Sequence, residues 1–339
     1  MRFGLGWRPA LGAGILANRD RIDVVEVMAE DFAHADEKTR RALQFLAAQL
    51  PVVVHATSLG LASSEPVDRK KLDDVARVVG WLEPEFWSEH LAFVRASGLE
   101  IGHLAAPPRN AATLEGLRRN VAVARQVAGS APLLENVATL IEPPLSDYDE
   151  AEWLHAIDSD LLLDLHNLYA NAVNFGFDAI EMMSRIPHER VRAVHLAGGR
   201  RIERDRILDD HLHEVPDPVY DLLAFVENEA ATVILERDGN YPPIEELLAE
   251  LDRARAVVRT PRRADATVPP SVARPGVDAF LARLYVDEGM RSRFVHAPYD
   301  CAIGEGFDEE SARSLAKMAT DDLLLAARGF AKKRATKAM

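Results

Sequence analysis

A (β/α)8 barrel followed by a small helical extension is the fold class this sequence predicts. Three observations predict it. Eight short apolar or β-branched runs fall within the first 258 residues, amphipathic segments alternate with them, and nearly every run ends in an ionisable residue. Strands of a parallel sheet covered on both faces read as continuous hydrophobics, and eight strand–helix units in roughly 250 residues match the size of such a barrel. An open doubly wound sheet ranks lower, because no GxGxxG or GxxxxGK[ST] follows an early strand.

The eight runs, in order, are FGLGW (3–7), IDVVEVMA (22–29), PVVVHAT (51–57), FWSEHLAF (86–93), PLLENV (132–137), LLLDLHN (161–167), VRAVHLAG (191–198) and ATVILERDG (231–239). Between and after them, EKTRRALQFLAAQL, RKKLDDVARVVGWL, TLEGLRRNVAVARQVAG and PIEELLAELDRARAVV repeat apolar residues every three or four positions, as amphipathic helices do. Beyond Val258 the charge changes sign. The first 258 residues carry 26 basic and 43 acidic side chains, the remainder 14 and 11. The segment 260–276, with Arg259 just before it, holds four prolines and four arginines, which reads as a linker. The expected organisation is therefore a catalytic barrel over 1–259, a linker over 260–276 and a small helical domain over 277–339, a candidate docking module. A cut after Arg259 is expected to leave a folded barrel.

Composition narrows the function. Forty basic against fifty-four acidic residues give a formal charge of −14, which would repel a phosphate backbone and speaks against nucleic acid as a partner. No apolar run reaches the ~18 residues of a membrane span, and MRFGLGWRPALGAG has neither a long apolar stretch nor a cleavage pattern, so no membrane association and a cytoplasmic location are expected. The single Cys301 excludes an internal disulfide and single-chain iron–sulfur or Cys-ligated zinc sites.

The chemistry lies at the strand ends. The runs deliver His55, Glu89 and His90, Glu135 and Asn136, Asp164, His166 and Asn167, His195, and Glu236 and Asp238, while LDDHLHEV adds Asp209, His211 and His213. In a barrel these ends open on one face, where active sites are built. A single strand-end histidine is most simply a hydrogen-bonded rim residue. This many imidazoles and carboxylates at one mouth would cost several kcal/mol per buried ion without compensation, and a cation supplies it. Imidazole with carboxylate and no thiolate suits zinc, manganese or iron rather than copper(I). More than four ligands imply two or three ions, with Glu135 or Glu236 bridging. His34, His155 and His188 fall in or beside helical segments and are read as surface residues.

GLGWRP, VHATSLGLAS, WSEHLAF, LLENVATL, LLLDLHNLYANAVNFGFD, HLAG, DDHLHEVPDPV and ERDGNYPPIEELLAELDRAR occur in this order over residues 3–256. On these motifs the chain resembles the DUF692 family, the multinuclear non-heme iron-dependent oxidative enzymes that modify ribosomally made precursor peptides. The resemblance implies a xylose-isomerase-like TIM barrel, two or three irons (Fe2+/Fe3+), dioxygen as co-substrate, and a peptide modified at Cys or a C-terminal residue. A separate leader-binding protein is a further partner it implies. Carried over by motif, His55, His90 and Glu135 surround one iron; Glu135 bridges to a second that meets His195 and Glu236; Asp209, His211 and His166 hold a third. Asp164 completes the expected ligand set, and His103, Asn136, Asn167 and Asp238 are candidates for substrate-contacting or supporting groups. Two departures stand out. Position 166 is His where relatives often carry Asn, and Gly199 stands where many carry His, which implies a pocket lacking one group.

Other functions share such a site. A metal-dependent sugar isomerase, epimerase or phosphoesterase uses a similar barrel and ligands, and a non-enzymatic metal-binding scaffold is a third reading. Dioxygen consumption separates the first from the rest.

Overall fold

A computed structural model of the chain describes residues 1–226, 231–258 and 276–337. The twelve strands are β1 (Arg2–Gly6), β2 (Val24–Met28), β3 (Val52–Ala56), β4 (Trp87–His90), β5 (Phe93–Ala96), β6 (Leu99–Ala105), β7 (Leu133–Glu135), β8 (Leu161–Asp164), β9 (Val191–Leu196), β10 (Arg200–Arg201), β11 (Ile207–Leu208) and β12 (Thr232–Leu235). Eight of them close a parallel barrel in the order β1-β12-β9-β8-β7-β4-β3-β2. Each coincides with one of the eight runs. The other four form two antiparallel hairpins, β5 with β6 and β10 with β11, on the loops that follow β4 and β9.

Strand side chains alternate between faces, and here the alternation divides the molecule into its parts. Outward residues such as Val25, Val27, Val54, Leu134, Leu163, Val194 and Val233 join the large core beneath the helices. Inward, Val24, Val53 and Ile234 form one apolar cluster and Leu133, Leu162 and Ala193 another, with Phe86 packed against both. Two residues further along the same strands stand Glu26, His55, Glu135, Asp164, His195 and Glu236, all buried. The barrel floor is thus oily and the layer above it ionisable. Helices start on side-chain caps, such as Asp68 accepting from the Lys70 and Lys71 amides and a reciprocal Asp149–Glu152 box, which satisfy amides left free at a helix start.

The tail folds as five helices, Val277–Val286, Glu288–His296, Pro298–Gly304, Glu309–Leu315 and Thr320–Lys337, where the periodicity alone suggests two long ones. Pro298 and the capping residues Asp287 and Asp308 interrupt it. Phe280, Leu281, Leu284, Phe294, Leu315 and Leu323 share one apolar cluster with Phe93, Ala96, Ile101 and Ala105 of the β5–β6 hairpin and with Ile141 and Leu145. Buried Asp278 accepts from the Ser64 amide (3.1 Å) and from the hydroxyls of Ser63 (3.3 Å) and Ser64 (2.5 Å). Arg206 pairs with Asp322 at 2.6 Å. The extension's apolar faces therefore pack on the β5–β6 hairpin and on Ile141 and Leu145. The proposed linker lies outside the described residues, apart from Gly276. No described helix is long and apolar enough to cross a membrane.

Candidate metal centre

Strand register assembles the site. His90 sits beside Glu135 across β4 and β7, Asp164 beside His195 across β8 and β9, and Met28 beside His55 across β2 and β3. Among the described residues, four overlapping groups of donor atoms lie close enough to hold a cation: His55, His90 and Glu135; Glu135, Asp164, His195 and Glu236; His166, Asp209 and His211; and His211, Glu236 and Asp238. All nine residues expected as ligands fall in the first three groups, and Asp238 enters the fourth. Glu135, Glu236 and His211 are each shared.

The distances describe donors aimed at common points. Glu135 Oε2 lies 3.3 Å from both His55 Nε2 and His90 Nε2, while Glu135 Oε1 and Glu236 Oε2 each lie 3.2 Å from His195 Nδ1. His211 Nδ1 stands 3.1 Å from Glu236 Oε2, and its Nε2 stands 2.9 Å from Asp209 Oδ1. Yet Glu135 Oε2 and Asp164 Oδ2 are buried with no hydrogen-bond partner. An unsatisfied buried polar atom is costly, and imidazole and carboxylate donors converging on common points are what a cation requires. The donor set fits metal ions.

Neighbouring groups fix the ring nitrogens. Ser88 Oγ lies 2.8 Å from His55 Nδ1, which engages that nitrogen and leaves Nε2 to face Glu135. On the other side of the cluster, His195 Nε2 is 3.0 Å from Glu26 Oε2, which turns Nδ1 toward Glu135 and Glu236. Glu26 is fully buried in the middle of β2, and reading strand ends alone overlooks it. The available signal was a charge inside an otherwise apolar strand, in phase with Val24. Arg8, whose guanidinium donates to Asp238 Oδ1 at 2.5 Å, lies outside the strand ends as well.

The remaining candidates separate into supports and mouth residues. Asn136 donates to the Asp164 carbonyl (3.0 Å) and accepts from its amide (2.8 Å), and Asn167 donates to the Asn136 carbonyl (2.9 Å) while its own amide donates to Asp164 Oδ1 (2.7 Å). Both asparagines clamp Asp164. Glu89 accepts from the Leu59 and His90 amides and anchors the loop after β3. His103 and Asp238 line the cavity, and His213 pairs with Asp210 outside the donor groups.

The two departures at positions 166 and 199 are one feature. A Cβ on Gly199 would lie 2.6 Å from His166 Cε1 and 2.9 Å from its Nε2. The His166 ring thus fills the space beside residue 199, and the pocket is not left short of a group there. Its Nδ1 reaches Asp209 Oδ1 at 2.7 Å. Gly199→Ala would also meet the Leu208 carbonyl at 2.4 Å, so it should shift the β10–β11 hairpin and push this ring aside, lowering metal occupancy at the His166, Asp209 and His211 group by about tenfold or more. Elemental analysis of the variant against the parent checks it; unchanged stoichiometry would mean that the ring's position is immaterial.

Charge in the metal-free cluster is held by protons. Burial pushes the Asp164 carboxyl up to about 7, with Asp209 and Glu135 adding repulsion. Burial alone would depress His90, but the Glu135 and Glu89 carboxylates outweigh it and raise the imidazole to about 9. His55 is driven down to about 3, by burial first. A cation must displace the protons on Asp164 and His90, so apparent metal affinity should rise with pH between about 6 and 9, each binding event releasing protons. Titration with metal in weak buffer reads that release directly. Binding without proton release would contradict these charge states.

A cavity of about 580 Å3 opens on this layer, reaching His55, His90, Asp209, His211 and Glu236. A family model described as RiPP precursor modification enzyme MbnB/TglH/ChrH matches residues 2–259. The chain belongs to this family. Within the MbnB/TglH/ChrH family's span, a UPF0276 protein of Rhizorhabdus wittichii is 32% identical over 260 residues, covering 75% of this chain and 93% of the relative. A UPF0276 protein of Streptomyces avermitilis is 38% identical over 269 residues, covering 74% of this chain; the match spans about half (54%) of that relative's length. Among solved structures, a D-tagatose 3-epimerase-like protein aligns at TM-score 0.51 and 15% identity over 76% of this chain and 98% of that one. A xylose isomerase-like TIM barrel/4-hydroxyphenylpyruvate dioxygenase fusion protein aligns at 0.52 and 14% identity, covering 87% and 50%. At such identities the likeness is one of fold: a xylose-isomerase-like barrel. The family consists of enzymes acting on precursor peptides.

Proposed function

We propose that this chain is a multinuclear iron enzyme that uses dioxygen to modify a ribosomally made precursor peptide, at a cysteine or a C-terminal residue. The observation that carries the reading is the set of shared donors: Glu135, Glu236 and His211 each serve two groups of potential ligands inside one open cavity, in a chain of a peptide-modifying family. A mononuclear site has no use for so many imidazoles and carboxylates. Iron suits nitrogen and oxygen donors without thiolate, and when bound it supplies the redox chemistry that protein side chains lack. The chain's own part is to hold the donors. Ser88 and Glu26 orient the rings of His55 and His195, Asn136 and Asn167 clamp Asp164, and the apolar floor closes the layer from below. The peptide enters from the mouth, past His103 and Asp238. A leader-binding protein is the partner this reading adds.

Co-expression with a short precursor encoded beside the gene tests it. The peptide's mass should change, and only when dioxygen and iron are present. An unaltered mass despite a full iron complement would favour a metal-dependent isomerase or hydrolase.

A further inference from the structure

The mouth of the cavity has one wall that the barrel does not make. Lys333 and Arg334 of the helix Thr320–Lys337 line it together with Lys71, Glu100, Gly102 and His103. This contact is built into the hairpin. Gly102 has φ +83°, and a Cβ there would stand 2.0 Å from Arg334 Cγ, so the strand forgoes a side chain where the helix approaches. Arg334 Nη1 donates to the Ile101 carbonyl at 2.6 Å. One turn earlier, the Phe330 ring meets His103 edge-on at 5.5 Å and Tyr285 at 4.9 Å.

The charges on this wall are unequally used. Lys71 is held by Glu100 at 3.0 Å, which cancels both, and Arg334 spends one arm of its fork on the Ile101 carbonyl. Lys333 is exposed and lines the cavity, and neither an ion pair nor a hydrogen bond to another described residue engages its ammonium. A ligand travelling to His55, His90 and His211 passes this unspent positive charge. The chain as a whole is strongly acidic, and Asp210 and Asp238 also face the mouth. Arg8 answers Asp238 and Lys71 answers Glu100, so Lys333 is the ammonium left over, and one such charge suits a singly charged anion better than a phosphate dianion.

We propose that the C-terminal helix is part of the substrate site, and that Lys333, supported by Arg334, receives a carboxylate of the peptide near the residue to be modified. This rests on the peptide-substrate reading above and deepens it. The carboxylate has two sources, an acidic side chain or the peptide's own C-terminus.

Fluorescence anisotropy on the metal-loaded full chain tests the proposal with three fluorescein-labelled, Cys-containing octapeptides of otherwise equal sequence. One carries Asp and a C-terminal amide, one Asn and a free C-terminus, one Asn and an amide. At low salt one of the two acidic peptides should bind about fivefold more tightly than the neutral one, and which one does identifies the source. Lys333→Gln should reduce that preference to less than about twofold and Lys333→Glu should reverse it, with iron content unchanged in both. Equal binding of all three peptides, or a preference indifferent to residue 333, overturns the carboxylate role and leaves the peptide reading standing. Displacement of the probe by inorganic phosphate but not by acetate overturns it in favour of a phosphoryl ligand. Failure of every peptide to bind the iron-loaded protein overturns the carboxylate role, while the mass change on co-expression decides the peptide reading separately.

Discussion

Glu135→Ala is expected to strip metal from two positions at once. Its Oε2 serves His55 and His90 while its Oε1 faces His195, so one deletion opens both donor groups. Loss of outer partners alone typically costs about 10–100-fold in metal affinity, and losing a shared ligand should exceed that at both positions. The metal-free fold also suffers, because the Glu135 carboxylate helps hold the protons on buried His90 and His195, and its loss leaves their ring nitrogens short of a partner, at a cost of about 1–3 kcal/mol. His211→Ala makes the useful contrast, since it touches the Asp209 and Glu236 side and should spare the His55 and His90 group. Metal stoichiometry and thermal unfolding of both variants provide the check. Equal, partial losses in the two would show that the groups do not share Glu135 in the way described.

The second large effect concerns the tail. Ending the chain at Val258 should leave an unstable, aggregating barrel, because Phe93, Ile101, Ile141 and Leu145 lose the helices that cover them. Burying one large apolar side chain is worth about 1.5–3 kcal/mol, and four approach the whole stability of about 5–15 kcal/mol that a domain possesses. Asp278 leaves as well, and with it the partner of Ser63 and Ser64. Light scattering and dye binding of the truncated protein decide the matter. A soluble monomer melting at the temperature of the full chain would show the extension to be an independent module.

The barrel was legible because its strands are short, apolar and evenly spaced, and because their terminal residues break the pattern with ionisable groups. His55, His90, Glu135, Asp164, His195 and Glu236 all announce themselves in that way. Glu26 does not. It stands in the same layer but inside β2 rather than at its end, and only the period of two, traced from Val24, reveals that it faces inward toward His195. The relation between His166 and Gly199 was illegible for a different reason: each is unremarkable alone, and only the fold puts the ring of one where the side chain of the other would be. The tail's charge does not tell how it packs. A change of sign and a proline-rich segment mark a boundary in composition, but apolar contact with the β5–β6 hairpin determines what folds with what, and such contact leaves no local trace in sequence.

Iron per chain, determined by elemental analysis on protein prepared anaerobically with iron supplied, tests the central claim most directly. More than one iron per chain is predicted, falling in His55→Ala, Glu135→Ala and His211→Ala. A single zinc per chain, unaffected by these substitutions, would contradict it.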